Sequence, residues 1–351
     1  MASKAPSPDP DQPRSVLIVD DSAVARAVMA RAIDSGDRCV VAGAVSDANA
    51  ALAFLARHRV DVILLDIEMP GVDGLTALPD LIAAGQGARV LIVSSSAADG
   101  GAATVQALAL GAADTLVKPT VGAFAGRFAD LLNERLNRLV AAEEVPLPPT
   151  PTTVVVPGDD FDVVAIGAST GGIHALSQLL RALPAEFRLP MLITQHLPES
   201  FMPYFAAQVA VLAGRPCEVA EDHSRIRPGR ILVAPGRAHM RIVSMGDGAA
   251  IRLSTAPAAS GCLPSVDPML ESLADVYGAR GLAVVLSGMG RDGAIGAAAL
   301  AAAGGSVVVQ DRASSVIWGM PGAAVQSCPG AAILPPDRIG ALMAGRRRPS
   351  C

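Results

Sequence analysis

The sequence predicts a two-domain α/β protein in which each domain is a doubly wound parallel sheet and the second also carries a β-hairpin. Three observations predict it. Short apolar runs recur along the chain, separated by stretches of helical pattern, as expected of strands buried on both faces. A proline-rich stretch, Pro146-Leu147-Pro148-Pro149-Thr150-Pro151, interrupts the series. The length of 351 residues is also long for a single core.

In chain order, residues 1–14 are polar and proline-rich with no apolar segment of the signal-peptide kind, so no export and a cytoplasmic setting are expected. Val16-Leu17-Ile18-Val19, Val60-Asp61-Val62-Ile63-Leu64-Leu65 and Val90-Leu91-Ile92-Val93 read as strands, and Thr115-Leu116-Val117 as a weaker one. A helix over 126–140 closes the first domain, 15–140. Residues 141–160 read as a semi-rigid linker of extended polyproline character. The second domain, 161–345, opens on the strand Val163-Val164-Ala165-Ile166-Gly167, followed by Met191-Leu192-Ile193-Thr194-Gln195. Gly246-Asp247-Gly248 between two apolar-alternating runs signals the hairpin. Leu282-Ala283-Val284-Val285-Leu286-Ser287 is a third strand. The apolar stretch 294–309 is broken by Gly304-Gly305 and reads as helix then strand, too short for a membrane span. Arg346-Arg347-Arg348 reads as a solvated end.

The formal net charge of −5 argues against nonspecific nucleic-acid binding. Apolar residues make up 51%, which alanine-rich helices and buried parallel strands account for without a membrane. Five cysteines, at 39, 217, 262, 328 and 351, show no CxxC spacing, so reduced thiols are expected rather than disulfides or a metal site.

In the first domain, Asp20-Asp21, Asp66, Ser94 and Lys118-Pro119 each follow a strand and would converge on one carboxyl edge. Three carboxylates that close repel one another unless a hard cation sits among them, which implies Mg²⁺. A single Asp at a strand–helix junction is more often a helix cap, but the set at successive strand ends is not explained by capping. These residues, with Val19-Asp20-Asp21-Ser22 and Leu65-Asp66-Ile67-Glu68-Met69-Pro70-Gly71-Val72-Asp73-Gly74, resemble the receiver domain of bacterial response regulators. The resemblance implies a flavodoxin-like fold and phosphorylation of Asp66 by a histidine kinase. It implies Mg²⁺ on Asp21, Asp66 and the Glu68 carbonyl with Asp20 in support, and Lys118 and Ser94 against the phosphoryl group. Such domains often carry an aromatic residue three positions before the lysine; here Thr115 stands there.

In the second domain, Ser169, His196 and Asp292 each follow a separate apolar run, which brings a hydroxyl, an imidazole and a carboxylate to one sheet edge. Ser169 alone, in Gly167-Ala168-Ser169-Thr170-Gly171-Gly172, reads as a helix N-cap; the loop matches neither GxGxxG, a Walker A loop nor GxSxG. Asp267 and Asp311 rival Asp292 as the acid, and pattern alone does not choose among them.

The second domain is similar to the catalytic domain of chemotaxis protein-glutamate methylesterases, the CheB family. The carrying residues are Ile166 to Gly172, Gln195-His196-Leu197-Pro198, Ala234-Pro235-Gly236, His239, Pro264-Ser265-Val266-Asp267, Ser287 to Ala294, and Trp318-Gly319-Met320-Pro321-Gly322-Ala323-Ala324. The resemblance implies a Rossmann-like α/β domain with Ser169 as nucleophile, His196 as base and Asp292 as orienting acid. Thr170 and Met289 would help form the oxyanion site, and no cofactor serves the esterase. It implies demethylation of glutamate methyl esters on cytoplasmic helices of methyl-accepting chemoreceptors, deamidation of glutamines as a second activity, and release of the catalytic edge when the receiver is phosphorylated. A transcriptional regulator would need a basic helix-turn-helix output, which is not seen. A non-catalytic, phosphorylation-dependent scaffold of a chemosensory array is the remaining alternative.

Overall fold

A computed structural model describes residues 12–94, 97–118, 125–140 and 161–345. The expected linker, Pro119 and the arginines 346–348 lie outside the described residues. The described residues fall into two compact units, 12–94 with 114–118 and 125–140, and 97–113 with 161–345.

The first sheet holds β1 (Arg14–Val19), β2 (Cys39–Val45), β3 (Val62–Leu65), β4 (Arg89–Ser94) and β5 (Asp114–Val117). Its order is β2-β1-β3-β4-β5 and every pair is parallel. The helices between and after the strands are α1 (Ala23–Asp34), α2 (Ala48–Leu55), α3 (Gly74–Gly85), α4 (Ala97–Leu110) and α5 (Ala125–Val140). Val62, Ile63, Leu64 and Leu65 are buried throughout β3, which is why this central strand reads as a continuous apolar run. Strand order reverses between β1 and β3, so loops at their carboxyl ends diverge and leave a crevice there.

The second sheet holds β6 (Val163–Ala168), β7 (Met191–Gln195), β8 (Cys217–Val219), β9 (Ile231–Val233), β12 (Gly281–Val285), β13 (Ser306–Gln310) and β14 (Ala332–Leu334). Its order is β14-β13-β12-β6-β7-β9-β8, again parallel. The reversal lies at β6, flanked by β12 and β7. The hairpin of β10 (His239–Met245) and β11 (Gly248–Ser254) is antiparallel and turns at Gly246-Asp247. The helices are α6 (Gly172–Arg181), α7 (Met202–Ala213), α8 (Asp267–Tyr277), α9 (Ala294–Ala302), α10 (Gly319–Ser327) and α11 (Pro336–Gly345). Both sheets are parallel α/β, as the sequence predicts.

Four strands were not distinguishable in the sequence. β2 is an edge strand whose residues alternate between exposed and covered, and Ala42-Gly43-Ala44 dilutes its apolar signal. β8 and β14 are three-residue edges, and β9 is equally short. The strand expected from Val60 starts at Val62, because Asp61 turns aside to accept from the Ser15 amide and hydroxyl at 2.7 and 2.8 Å. No helix among the described residues is long and apolar enough to cross a membrane.

Candidate functional site

The switch point of the second sheet gathers the chemistry. Ser169 follows β6, His196 follows β7 and Asp292 follows β12, on three neighbouring strands. Registers Ala168↔Gln195 and Val285↔Gly167 align these strand ends. The His196 amide donates to Ala168 O at 3.1 Å and the Ser169 amide to Ser287 O at 3.0 Å, so main chain carries both residues.

Of the three candidate acids, Asp292 is the one on the imidazole: His196 Nε2 lies 2.7 Å from its Oδ2. Asp292 is buried and fully occupied. It accepts from the Ser265 hydroxyl at 2.6 Å, from the Val266 amide at 2.8 Å, and from the Asp267 and Gly293 amides at 3.2 and 3.1 Å. Asp267 touches that carboxylate through its amide, while its own side chain caps α9 by accepting from the Gly296 amide at 2.8 Å. Asp311 lies after β13, where it accepts from the Ser314 amide at 3.3 Å. His239 is structural: the Ser265 amide donates to its Nδ1 at 2.8 Å, and its Nε2 donates to Ala256 O at 2.9 Å.

Burial would raise the Asp292 carboxyl, but the imidazole, the Ser265 hydroxyl and the Val266 amide outweigh it and bring the pKa to about 2. Burial would likewise lower His196, yet the Asp292 contact and then Cys262 raise it to about 9. Burial raises Asp267 to about 6, with the Gly296 amide opposing and the Asp292 charge reinforcing. The pair that emerges is an imidazolium on a carboxylate.

The Ser169 hydroxyl makes no hydrogen bond to His196 among the described residues. Such nucleophile–base contacts commonly tighten only around substrate. Ser169 is half-buried at the N-terminal end of α6, where amide dipoles favour negative charge. Thr170, next to it, is buried, and Met289 is 45% exposed in the loop after β12.

Four supporting residues carried no separate signal in the sequence. Ser265 reaches Asp292 only through tertiary folding. Gln195 donates from Nε2 to Ser169 O at 3.0 Å. Ser287 donates its hydroxyl to Thr170 O at 2.8 Å and accepts from the Ile317 amide at 3.1 Å, pinning two loops of the site. Cys262 lies beside His196 and Asp292.

In the first sheet, Asp20 and Asp66 are buried and Asp21 is exposed, with carboxylate oxygens of all three within 4.8 Å of one another. Lys118 Nζ lies 2.8 Å from Asp20 Oδ2 and 2.7 Å from Asp66 Oδ2. The helix caps here are Ser22, Asp47 and Asp73, so Asp20, Asp21 and Asp66 are not capping residues. Glu68 enters through its main chain, its amide donating to Asp66 Oδ1 at 3.2 Å. Ser94 is buried at the end of β4, and its carbonyl accepts from the Lys118 amide at 2.7 Å. Burial raises the Asp66 carboxyl, with Lys118 only partly opposing. Burial lowers Lys118, but Asp20 and Asp66 more than offset that and hold it above the ordinary lysine value. Three carboxylates face one ammonium, and among the described residues Asp20 Oδ2 has no partner besides that ammonium. This all-oxygen, excess-negative set fits a hard divalent cation. Thr115 is buried, and its hydroxyl is unpartnered among the described residues.

Residues 164–343 match the family described as CheB methylesterase, and residues 16–123 match that described as response regulator receiver domain. The chain is 38% identical to protein-glutamate methylesterase/protein-glutamine glutaminase 1 of Paramagnetospirillum magneticum, across 97% of each chain. It is 41% identical to protein-glutamate methylesterase/protein-glutamine glutaminase 2 of Caulobacter vibrioides, across 95% of this chain and 99% of that one. The crystal structure of the Thermotoga maritima CheB methylesterase catalytic domain is similar at 29% identity and a TM-score of 0.51, covering 53% of this chain and 98% of that one.

Proposed function

The chain belongs to the CheB methylesterase family, and on that premise we propose that it is a receiver-regulated protein-glutamate methylesterase and protein-glutamine glutaminase of chemotaxis. Residues 15–140 form the receiver, 141–160 the linker and 161–345 the hydrolase. The observation that carries the catalytic reading is the His196–Asp292 pair beside Ser169, on three neighbouring strand ends of the switch point.

In this reading His196, once neutral, takes the Ser169 proton as the hydroxyl attacks the ester carbonyl of a glutamate methyl ester. Asp292 holds the imidazole through Nε2, which leaves Nδ1 to serve the hydroxyl. Main-chain amides around Thr170 and Met289, at the head of α6 and the loop after β12, stabilise the oxyanion. Methanol leaves with the proton returned by His196. Water then attacks the glutamyl ester and restores Ser169. On a glutamine side chain the same steps release ammonia. The substrates are the cytoplasmic helices of methyl-accepting chemoreceptors, so the enzyme acts in the cytoplasm.

Asp66 accepts a phosphoryl group from a histidine kinase. Asp21, Asp66 and the Glu68 carbonyl, with Asp20 in support, would hold Mg²⁺, which supplies charge neutralisation for phosphoryl transfer. Lys118 then pairs with the phosphoryl oxygens and Ser94 turns its hydroxyl toward them. Phosphorylation shifts the population toward an open catalytic edge.

The test is methanol release from methylated receptor membranes by wild type and Ser169→Ala, each with and without a small-molecule phosphodonor. Serine-dependent release that rises with the phosphodonor is expected. No release from wild type under either condition would return the reading to a non-catalytic scaffold, which the enzyme names of the full-length relatives do not favour.

A further inference from the structure

We propose that His196, Cys262 and Asp292 form a binding site for Zn²⁺, and that occupation of this site reversibly switches the hydrolase off. An imidazole nitrogen, the Cys262 sulfur and a carboxylate oxygen of Asp292 all lie within 4.8 Å of one another. A tetrahedral Zn²⁺ with bonds of about 2.0–2.3 Å sets its ligand atoms about 3.3–3.8 Å apart, so sub-ångström to ångström adjustments close the set. Three protein ligands of S, N and O type leave a fourth position for water. The thiolate donor selects Zn²⁺ over Mg²⁺, which prefers oxygen alone.

The loop that presents Cys262 is tied to the same carboxylate. The Cys262 amide donates to Ser260 Oγ at 3.3 Å, Ser260 Oγ donates to Ser265 Oγ at 3.1 Å, and Ser265 Oγ donates to Asp292 at 2.6 Å. Cys262 is therefore held in register with its two co-ligands. Its sulfur lies against the His196 imidazole and makes a weak contact to Ser260 O at 3.9 Å. Among the described residues no other cysteine stands with a histidine and a carboxylate in this way. On binding, the Cys262 thiol and the imidazolium each lose a proton to solvent, and the metal occupies the nitrogen lone pair or the carboxylate that His196 needs to act as base. That consequence for turnover rests on the esterase reading; the binding site does not.

The experiment titrates the purified full chain with Co²⁺ as a spectroscopic stand-in, in excess Mg²⁺, and then displaces it with Zn²⁺. A thiolate-to-cobalt charge-transfer band is expected in wild type, bleached by Zn²⁺ and absent from Cys262→Ser. Cys262→Ala, checked for native circular dichroism, repeats the loss should the serine variant misfold. In parallel, hydrolysis of a small ester is measured with and without Zn²⁺ within each protein. Zn²⁺ is expected to lower the wild-type rate at least tenfold, reversibly on chelation, and half-inhibition is expected to need about 10–100 times more Zn²⁺ in the Cys262 variants. No band in wild type, or a band unchanged in both Cys262 variants, overturns the proposal. A wild-type band with no ester hydrolysis in metal-free protein refutes the esterase reading and leaves the metal site standing.

Discussion

In the proposed mechanism the state of one proton decides what His196 does. A base must be neutral, and the Asp292 carboxylate holds the imidazole pKa up to about 9. The neutral fraction therefore grows as pH rises from the ordinary histidine value of about 6.5 toward 9. The expected kcat/KM for a small ester climbs across that window; a flat profile would show that the charge pair does not govern the free enzyme. Asp292→Asn removes the carboxylate charge, so the climb moves to lower pH while turnover falls by about 10⁴. Asp311→Asn, whose carboxylate serves Ser314 instead, leaves turnover near wild type. Ser265→Ala removes a buried hydroxyl bond to Asp292 worth about 1.5–3 kcal/mol. That change is expected to lower kcat about tenfold or more and to lower the thermal midpoint by a few degrees, measured by steady-state kinetics and calorimetry. By residue pattern Asp292 was legible only as one of three candidates, and the family resemblance singled it out; pattern does not carry which carboxylate the folded chain sets against the imidazole.

At the scale of elements, the junction of β12 with the loop that follows places the serine. Gly288 packs so closely that a Cβ there would stand 2.7 Å from Ser169 Cβ and would also collide with Met320 Sδ. Its amide donates to Ile317 O at 3.0 Å and its carbonyl accepts from the Met320 amide at 2.8 Å, so the backbone has little room to retreat. Gly288→Ala is expected to displace Ser169 and lower kcat by about 10², since misplacement by about 1 Å has that effect. Circular dichroism should stay native; retained full activity would show that the strand end yields. The central strands of both sheets were legible because burial on both faces leaves unbroken apolar runs, as in Val62 to Leu65. The edges β2, β8 and β14 were not, because one exposed side or three-residue length removes that signal.

For the whole molecule, the proposed regulation is a change of population set by the receiver site. Asp66→Asn is expected to abolish the response to a phosphodonor while leaving the basal methanol release of the hydrolase domain. Chelation of Mg²⁺ should suppress the phosphodonor response in wild type without touching the basal rate, because the oxygen cluster of Asp20, Asp21 and Asp66 belongs to the first sheet alone. Equal stimulation of wild type and Asp66→Asn would place the gate elsewhere. Lys118, held protonated by Asp20 and Asp66, carries the charge that the proposed phosphoryl contact requires.

The parallel α/β class and the pairing of a receiver with a methylesterase domain were determined by the sequence by itself. So was the clustering of acidic and nucleophilic residues at strand ends. Apolar periodicity encodes strands locally, and the motif residues lie next to one another in the chain. Only the tertiary structure decided that Ser265 and Ser287 brace the site and that Cys262 stands beside it, and it set against His196 the one of three pattern-equivalent carboxylates that the resemblance had singled out. Those contacts join residues 27 to 117 positions apart in the chain, or bring separate loops together around one carboxylate. Such proximity follows from strand order and loop closure, which short-range pattern does not carry.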